Sequence, residues 1–460
     1  MNEAFSTQGV VSMSEERTVS QPAERRPAPS RIAALTVEQG LREMEAGKLS
    51  SEQWTQACLE RIASRNPVVK AWVYVNADKA LERARLVDRE GRRQRLDGVP
   101  LGLKDIIDTA DMPTELGDPE IFPGRRPAED AAVTRLMREL GVVLLGKNTV
   151  SRHSIMLPGP ARNPHDPSRT PGASSAGSAA AVADFQTPIS LGTQTGGSIV
   201  RPSTFCGAVG FKPTIDTLPY AGLRRYSRPL DTLGAIARSV ADLSILFGEA
   251  LGDPRFDSEL AVRRDFTVGV WRPLGWDDAE PCVREAFDDA VARLQQAGVR
   301  VKVLDMPKIF TQIADDHDII MAYDLARSFK EIRRDHHDKC DPALLEYLDK
   351  GDRDTAQDYA RTLDLADACR RAFLDVARDV DVLATPATLG EAPDVSDTGS
   401  NIFIRIWTLL HNPSLTLPIA RGPRGLPVGL QLVGFQKEDA RFLYWARCVE
   451  SILGTRVHDV

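Results

Sequence analysis

Residues 169–202 read RTPGASSAGSAAAVADFQTPISLGTQTGGSIVRP, and this pattern decides how the chain folds. Two turns rich in serine and glycine, at Ser174-Ser175 and at Gly196-Gly197-Ser198, bracket a run of small residues from Ser178 to Ala183. Alanine is the strongest helix former and lets backbones approach, so the run reads as a buried helix. Glycine beside serine lets the main chain come close to a bound group and take angles that a Cβ forbids. The stretch therefore predicts two hydroxyls held together over a tightly packed scaffold. Upstream, GVPLGLKDIID at 98–108 puts Lys104 at the end of an apolar, strand-like run. A lysine held beside two serines is one variant of the nucleophile, base and orienter arrangement.

Each signal alone has an ordinary explanation. A lone Gly-Gly-Ser is usually a turn, and a lone Lys-Asp usually a strand end meeting solvent. Their occurrence together and in this order carries the reading.

Outward from this stretch the pattern alternates. A helix is expected to start near Asp130, a suitable N-cap, and to end at Gly141, a suitable C′ residue. The apolar run VVLLG at 142–146 then reads as a buried strand. Alternating helices and buried strands through 130–215 argue for an α/β sheet covered on both faces. Residues 35–66 place Leu41, Met44, Leu49, Trp54, Cys58, Leu59 and Ile62 on one packing face, a helical N-terminal pair laid on the main body. CVREAFDDAVARLQQAG at 282–298 runs into the strand VRVKVLDM, a helix–strand unit. Residues 310–380 are charged and helical, and in such a fold a segment of this kind covers the site and governs substrate choice.

Residues 1–30 are rich in Ser, Glu, Arg and Pro without a signal-peptide apolar core, and read as a disordered leader ahead of one domain over 31–460. The 460 residues are 42% hydrophobic, enough for one large α/β core. A net charge of −7 argues against nucleic acid or an anionic membrane as main partner. No apolar run reaches 18 residues, so no membrane span is expected. The six cysteines form no CxxC pair, which suits reduced thiols and a cytoplasmic location. DDHD at 315–318 and HHDKC at 336–340 hold ligand types but lack zinc-site spacing, so no metal and no cofactor is expected.

The two turns, with the lysine segment, resemble the amidase signature family, in which GxSSGGSAAAVA precedes a GTDTGGSIRxPA-like stretch. ELGVVLLGKNTV at 139–150, CGAVGFKPT at 206–214, SRPLDTLGAIARSVADL at 227–243 and GLPVGLQLVG at 425–434 extend the likeness. The resemblance implies a mixed central sheet between helices, Ser198 as nucleophile, Ser174 as the middle serine behind a cis peptide bond, and Lys104 as terminal base. Two positions depart from the family: Gln194 and Val200 stand where an acid and an arginine are usual. A neutral pair in place of a salt bridge is expected there. The positive charge returns at Arg201, a form similar to malonamidase-like members, whose corresponding arginine holds a substrate carboxylate. The alternative for Arg201 is a buried structural anchor.

The chemistry follows from the residue types. A serine hydroxyl needs a base to take its proton during attack. Lysine burial among Leu103 and Ile106 disfavours its charge and supplies that base. Converging N–H groups of Thr195, Gly196, Gly197 and Ser198 would form an oxyanion hole, with Arg201 and Ser175 as substrate contacts. His153 and His165 flank the first turn, yet no acid at motif spacing orients either. The expected protein is a hydrolase of a small-molecule amide, through an acyl-enzyme and without cofactor, with a homodimer allowed for. An aryl or alkyl carbamate or anilide hydrolase on the same residues is one alternative. Another is a glutaminase-type subunit of an amidotransferase assembly.

Overall fold

The computed structural model describes residues 26–256 and 259–454. Residues 1–25, most of the expected leader, lie outside the described residues. Arg26 is already docked: its guanidinium donates to the Ala183 carbonyl at 2.5 Å and pairs with Asp184 at 2.8 Å, beside Arg61 and Arg65 on the same carboxylate.

The strands are β1 (Trp72–Val75), β2 (Pro100–Lys104), β3 (Val143–Asn148), β4 (Ile189–Gln194), β5 (Val209–Lys212), β6 (Thr232–Ala237), β7 (Thr267–Val270), β8 (Arg300–Val303), β9 (Val382–Pro386), β10 (Ser414–Arg421) and β11 (Pro427–Val433). Among the described residues they form one sheet of 11 strands in the order β1-β3-β2-β4-β6-β5-β10-β11-β9-β7-β8. β2 runs parallel to β3 and β4, and β7 parallel to β8 and β9. The centre, β4 through β11, is antiparallel. The sheet is therefore mixed, as the family resemblance implied, and lies between helices, as the alternation implied. β2, β3, β4 and β6 are buried at every residue, which is why they read as continuous apolar runs rather than alternating ones.

The helix Ala176–Ala183 has all eight residues buried, the small-residue helix expected from the sequence. The N-terminal pair is Val37–Glu45 and Ser51–Val69, each opened by a capping box, Thr36 with Gln39 and Ser50 with Gln53. Trp54 sits so close over Gly40 that a Cβ there would lie 2.1 Å from its ring. The helix after Asp130 starts one turn-position later than expected, at Ala132, with Ala131 as N-cap. Asp130 instead accepts from the Ala110 N–H at 2.8 Å and pairs with Arg138, so its carboxylate is committed elsewhere. Gly141 ends this segment at φ +81°, as a C′ glycine does. The helix–strand unit is Pro281–Gln296 followed by β8, an exposed edge strand. Residues 310–380 fall in the helices Ile309–Ser328, Lys330–Asp335, Pro342–Arg353 and Ala356–Val376.

Candidate active site

Lys104 ends β2 with its side chain 1% exposed, and its ammonium group donates to Ser174 Oγ at 2.8 Å and to Thr193 Oγ1 at 2.7 Å. Burial lowers its pKa to about 7, against the opposing pull of the Asp231 carboxylate. The parallel pairing of β2 with β4 is what brings Thr193 alongside, since Leu103 registers with Leu191 two residues earlier. The peptide bond between Ala173 and Ser174 is cis, at the place the family resemblance implied.

Ser198 follows β4 on the loop 195–198, just before the helix Val200–Cys206, and is half-buried. It lines a narrow cavity together with Thr195, Gly196 and Gly197. The four loop carbonyls are each held. Thr195 O accepts from the His317 ring at 3.0 Å, and Gly196 O from Thr408 Oγ1 at 2.8 Å. Gly197 O accepts from the Arg201 N–H at 2.9 Å, and Ser198 O from the Ser175 N–H at 3.2 Å. Among the described residues none of the four N–H groups of this loop finds a protein acceptor. Carbonyl and N–H of one trans peptide point opposite ways, so pinning the Thr195, Gly196 and Gly197 carbonyls turns the N–H groups of Gly196, Gly197 and Ser198 to the other side. The two glycines serve this by closeness rather than by unusual angles. A Cβ on Gly196 would lie 2.7 Å from Asn401 Nδ2, and one on Gly197 2.9 Å from Asn401 Cβ.

The two departures have a physical role. Gln194 Oε1 accepts from the Ile199 and Val200 N–H groups at 2.9 and 3.0 Å, and its Nε2 donates to Thr408 Oγ1 at 2.9 Å. Gln194 and Val200 thus meet without charge, and through the Val200 main chain, because a valine offers no side-chain donor. Thr195 Oγ1 donates to Asp231 at 2.7 Å, and burial pushes that carboxyl up to about 6.

The remaining expected residues are placed as follows. Arg201 is 2% exposed and lines the cavity, with Nη2 donating to the Ala173 carbonyl at 2.9 Å and Nη1 to the Gly399 carbonyl. Ser175 turns its hydroxyl to the Thr193 carbonyl at 3.0 Å, away from the cavity. His165 is held by the Cys206 carbonyl at 2.8 Å. His153 does have an acid, though not at motif spacing: Asp118 stands 2.7 Å from its Nδ1. The loop carrying Asp118 folds back from 35 residues upstream, which no local spacing reveals. The other ring nitrogen of His153 accepts from the Asp341 N–H at 3.1 Å, so it is closed to a serine.

Three further residues at the cavity carry no motif in the sequence. His317, Met321 and Leu325 lie four residues apart on the helix Ile309–Ser328; Met321 and Leu325 wall the cavity, and His317 holds Thr195. The DDHD stretch containing His317 signals only metal-ligand types, and its aspartates are partnered: Asp315 with Arg405, Asp316 with Arg361 and Asp318 with Tyr347 and Lys350. Among the described residues only Glu280, Cys282 and Glu391 cluster with ligand spacing, and Arg424 already sits there, 2.8 Å from Glu280 and 3.1 Å from Glu391.

The profile of the amidase family matches residues 53–443. A glutamyl-tRNA(Gln) amidotransferase subunit from Anaeromyxobacter sp. (strain K) is 34% identical over 90% of this chain and 96% of its own length. The corresponding protein of Acidothermus cellulolyticus is 41% identical over 57% of this chain, a match that spans only 56% of that relative. A solved structure described as an amidase superimposes with a TM-score of 0.83 at 29% identity, covering 91% of this chain and all (100%) of that one.

Proposed function

The chain belongs to the amidase family and is a hydrolase of amide C–N bonds, and from that premise we propose that Ser198, Ser174 and Lys104 carry the reaction. The observation that supports this is the 2.8 Å contact of Lys104 with Ser174 beside a loop whose N–H groups lack acceptors among the described residues. In the reaction, Ser198 Oγ forms a bond to the amide carbonyl carbon while its proton passes to Ser174, whose own proton passes to neutral Lys104. The carbonyl oxygen becomes an oxyanion, received by the N–H groups of the 195–198 loop. The C–N bond then breaks as the nitrogen takes a proton back through Ser174. Water releases the acid by the same relay. Arg201 holds the Ala173 carbonyl, and so the placement of Ser174, while its position on the cavity wall leaves it able to meet substrate. With six free cysteines and no described helix long and apolar enough to cross a membrane, we place the enzyme in a reducing cytoplasm.

A second reading, the glutaminase-type subunit of an amidotransferase, has support in the names of relatives that match along nearly their whole length. Partner capture under native purification separates it from a free amidase. The triad is tested by an active-site fluorophosphonate: label is expected on Ser198, and Ser198→Ala is expected to lose turnover by roughly 10⁴–10⁶ with an unchanged melt. Label on Ser174 or Ser175 would overturn the assignment.

A further inference from the structure

Lys104 changes charge during the proposed relay, and a buried carboxylate stands across from it. The antiparallel register of β4 with β6 sets Gln194 opposite Thr232, so Thr195 and Asp231 meet just beyond the strand ends. Asp231 is 1% exposed. One carboxylate oxygen accepts from Thr195 Oγ1 at 2.7 Å, and the other from the Tyr226 and Ser227 N–H groups at 2.8 and 3.1 Å. All three donors are neutral, whereas a carboxylate so buried ordinarily has a cation as partner.

Two cationic groups face it. Arg225 is exposed, over the Tyr220 ring at 4.5 Å, where water and salt screen its charge. Lys104 is buried, and Asp231 is the charged group that acts on it. The other ionisable groups here have other settings. Burial holds the Tyr220 and Tyr226 phenols above their usual range, so both stay neutral. Asp105, next in sequence to Lys104, accepts from the Glu115 N–H and faces Lys147 instead.

The relay gives such a carboxylate a task. Neutral Lys104 takes the Ser174 proton and becomes an ammonium as Ser198 attacks. In a dry site a new positive charge is costly unless an opposite charge already stands by. Asp231 stays ionised throughout: it takes no proton, and no bond to it forms or breaks.

We propose that Asp231 is a positioning residue whose carboxylate is the counter-charge for the ammonium that Lys104 becomes, and which fastens the nucleophile loop through Thr195. This rests on Lys104 being the base of the relay proposed above.

The pH profile of kcat/KM, on an amide that the wild type turns over, tests it. Asp231→Asn keeps an oxygen for the Tyr226 and Ser227 N–H groups and loses the charge. Without that charge the pKa of Lys104 falls further. The rising limb is then expected to move from about 7 to lower pH, by about one unit, and the plateau to drop about tenfold. Thr195→Val removes the tie to the loop and keeps the carboxylate, so it is expected to lower the plateau and leave the limb in place. An unmoved limb in Asp231→Asn, with Lys104→Ala inactive, overturns the counter-charge alone. Activity retained in Lys104→Ala overturns the relay itself. Should Asp231→Asn not fold, the reciprocal measurement decides, because coupling between two sites is mutual. The Asp231 carboxyl, followed by its carbon-13 resonance, is expected to titrate at higher pH in Lys104→Met than in the wild type. An unshifted titration overturns the proposal.

Discussion

The sheet half of the site and its helical cover are built under different constraints. On the sheet side, Lys104, Thr193, Ser174 and Gln194 are all at most 4% exposed, and each is tied to another buried polar group or to main chain. The cover, residues 309–376, sends His317, Met321 and Leu325 inward and holds its outside with ion pairs such as Arg333 with Asp349 and Asp352. Exposed pairs of this kind contribute only about 0–1 kcal/mol each. A change on the sheet side leaves a buried polar group unpaired, which costs about 1–3 kcal/mol or more. The lesson is that chemistry resides where substitution is expensive, and substrate choice where it is tolerated.

The largest effect that would break this contrast concerns the base. Lys104→Ala is expected to lower kcat by roughly 10²–10⁴, the usual range for a general base, while His153→Ala and His165→Ala change it only a few-fold. With the Lys104 amine lowered to about 7, the neutral form gains above that pH, so kcat/KM should rise with pH through about 7 and then level off. A histidine variant as damaging as the lysine variant would move the base to the other side of the site. A rate still climbing steadily beyond about pH 9, nearer the ordinary lysine range, would show that burial does not lower this lysine.

The next effect sharpens the border between the two halves. His317 belongs to the cover yet holds the Thr195 carbonyl of the nucleophile loop. Burial lowers its pKa to about 4, so it is neutral at working pH and must carry its proton on Nε2 to donate there. Removing a direct oxyanion donor costs about 10²–10³ in kcat; loss of a group that only aims one should cost less, roughly tenfold. His317→Ala is expected to show that loss in kcat with little change in KM, and His317→Gln, which retains a donor, to recover most of it. A rise in KM alone would make His317 a substrate contact instead.

The smallest effect lies wholly in the cover. Met321→Ala widens the cavity wall without touching the relay. It should shift kcat/KM toward amides with bulkier nitrogen substituents by roughly three- to tenfold, in line with the modest worth of a few methylenes in an apolar pocket. Steady-state rates on a primary amide and its N-propyl derivative would show it. Equal loss on both would place Met321 with the sheet side as a structural residue.

Much of the fold is legible in the sequence because it depends on local chemistry. The buried run 142–146, the alanine helix and the capping boxes at Thr36 and Ser50 each follow from short-range rules. The helix after Asp130 departs from its expected start because the aspartate finds partners at Ala110 and Arg138, one of them outside its own helix. β8 is legible as a strand, with Val301 and Val303 alternating with charged residues, but its place at the edge of the sheet is not a local property.

Residue types and their order alone put Lys104, Ser174 and Ser198 forward as one candidate set, since a hydroxyl nucleophile, a lysine base and two glycines have few other uses in that combination, and the structure brings Lys104 to Ser174. Only the tertiary structure decided the rest. It put Asp118 against His153, His317 on the Thr195 carbonyl, the Gln194 oxygen on the Val200 N–H, and Tyr226 beside Ser154. Each of these except the Gln194 contact joins segments at least 35 residues apart. The physical reason is that a hydrogen bond reaches about 3 Å and carries no mark in the sequence of which distant partner the fold will bring to it.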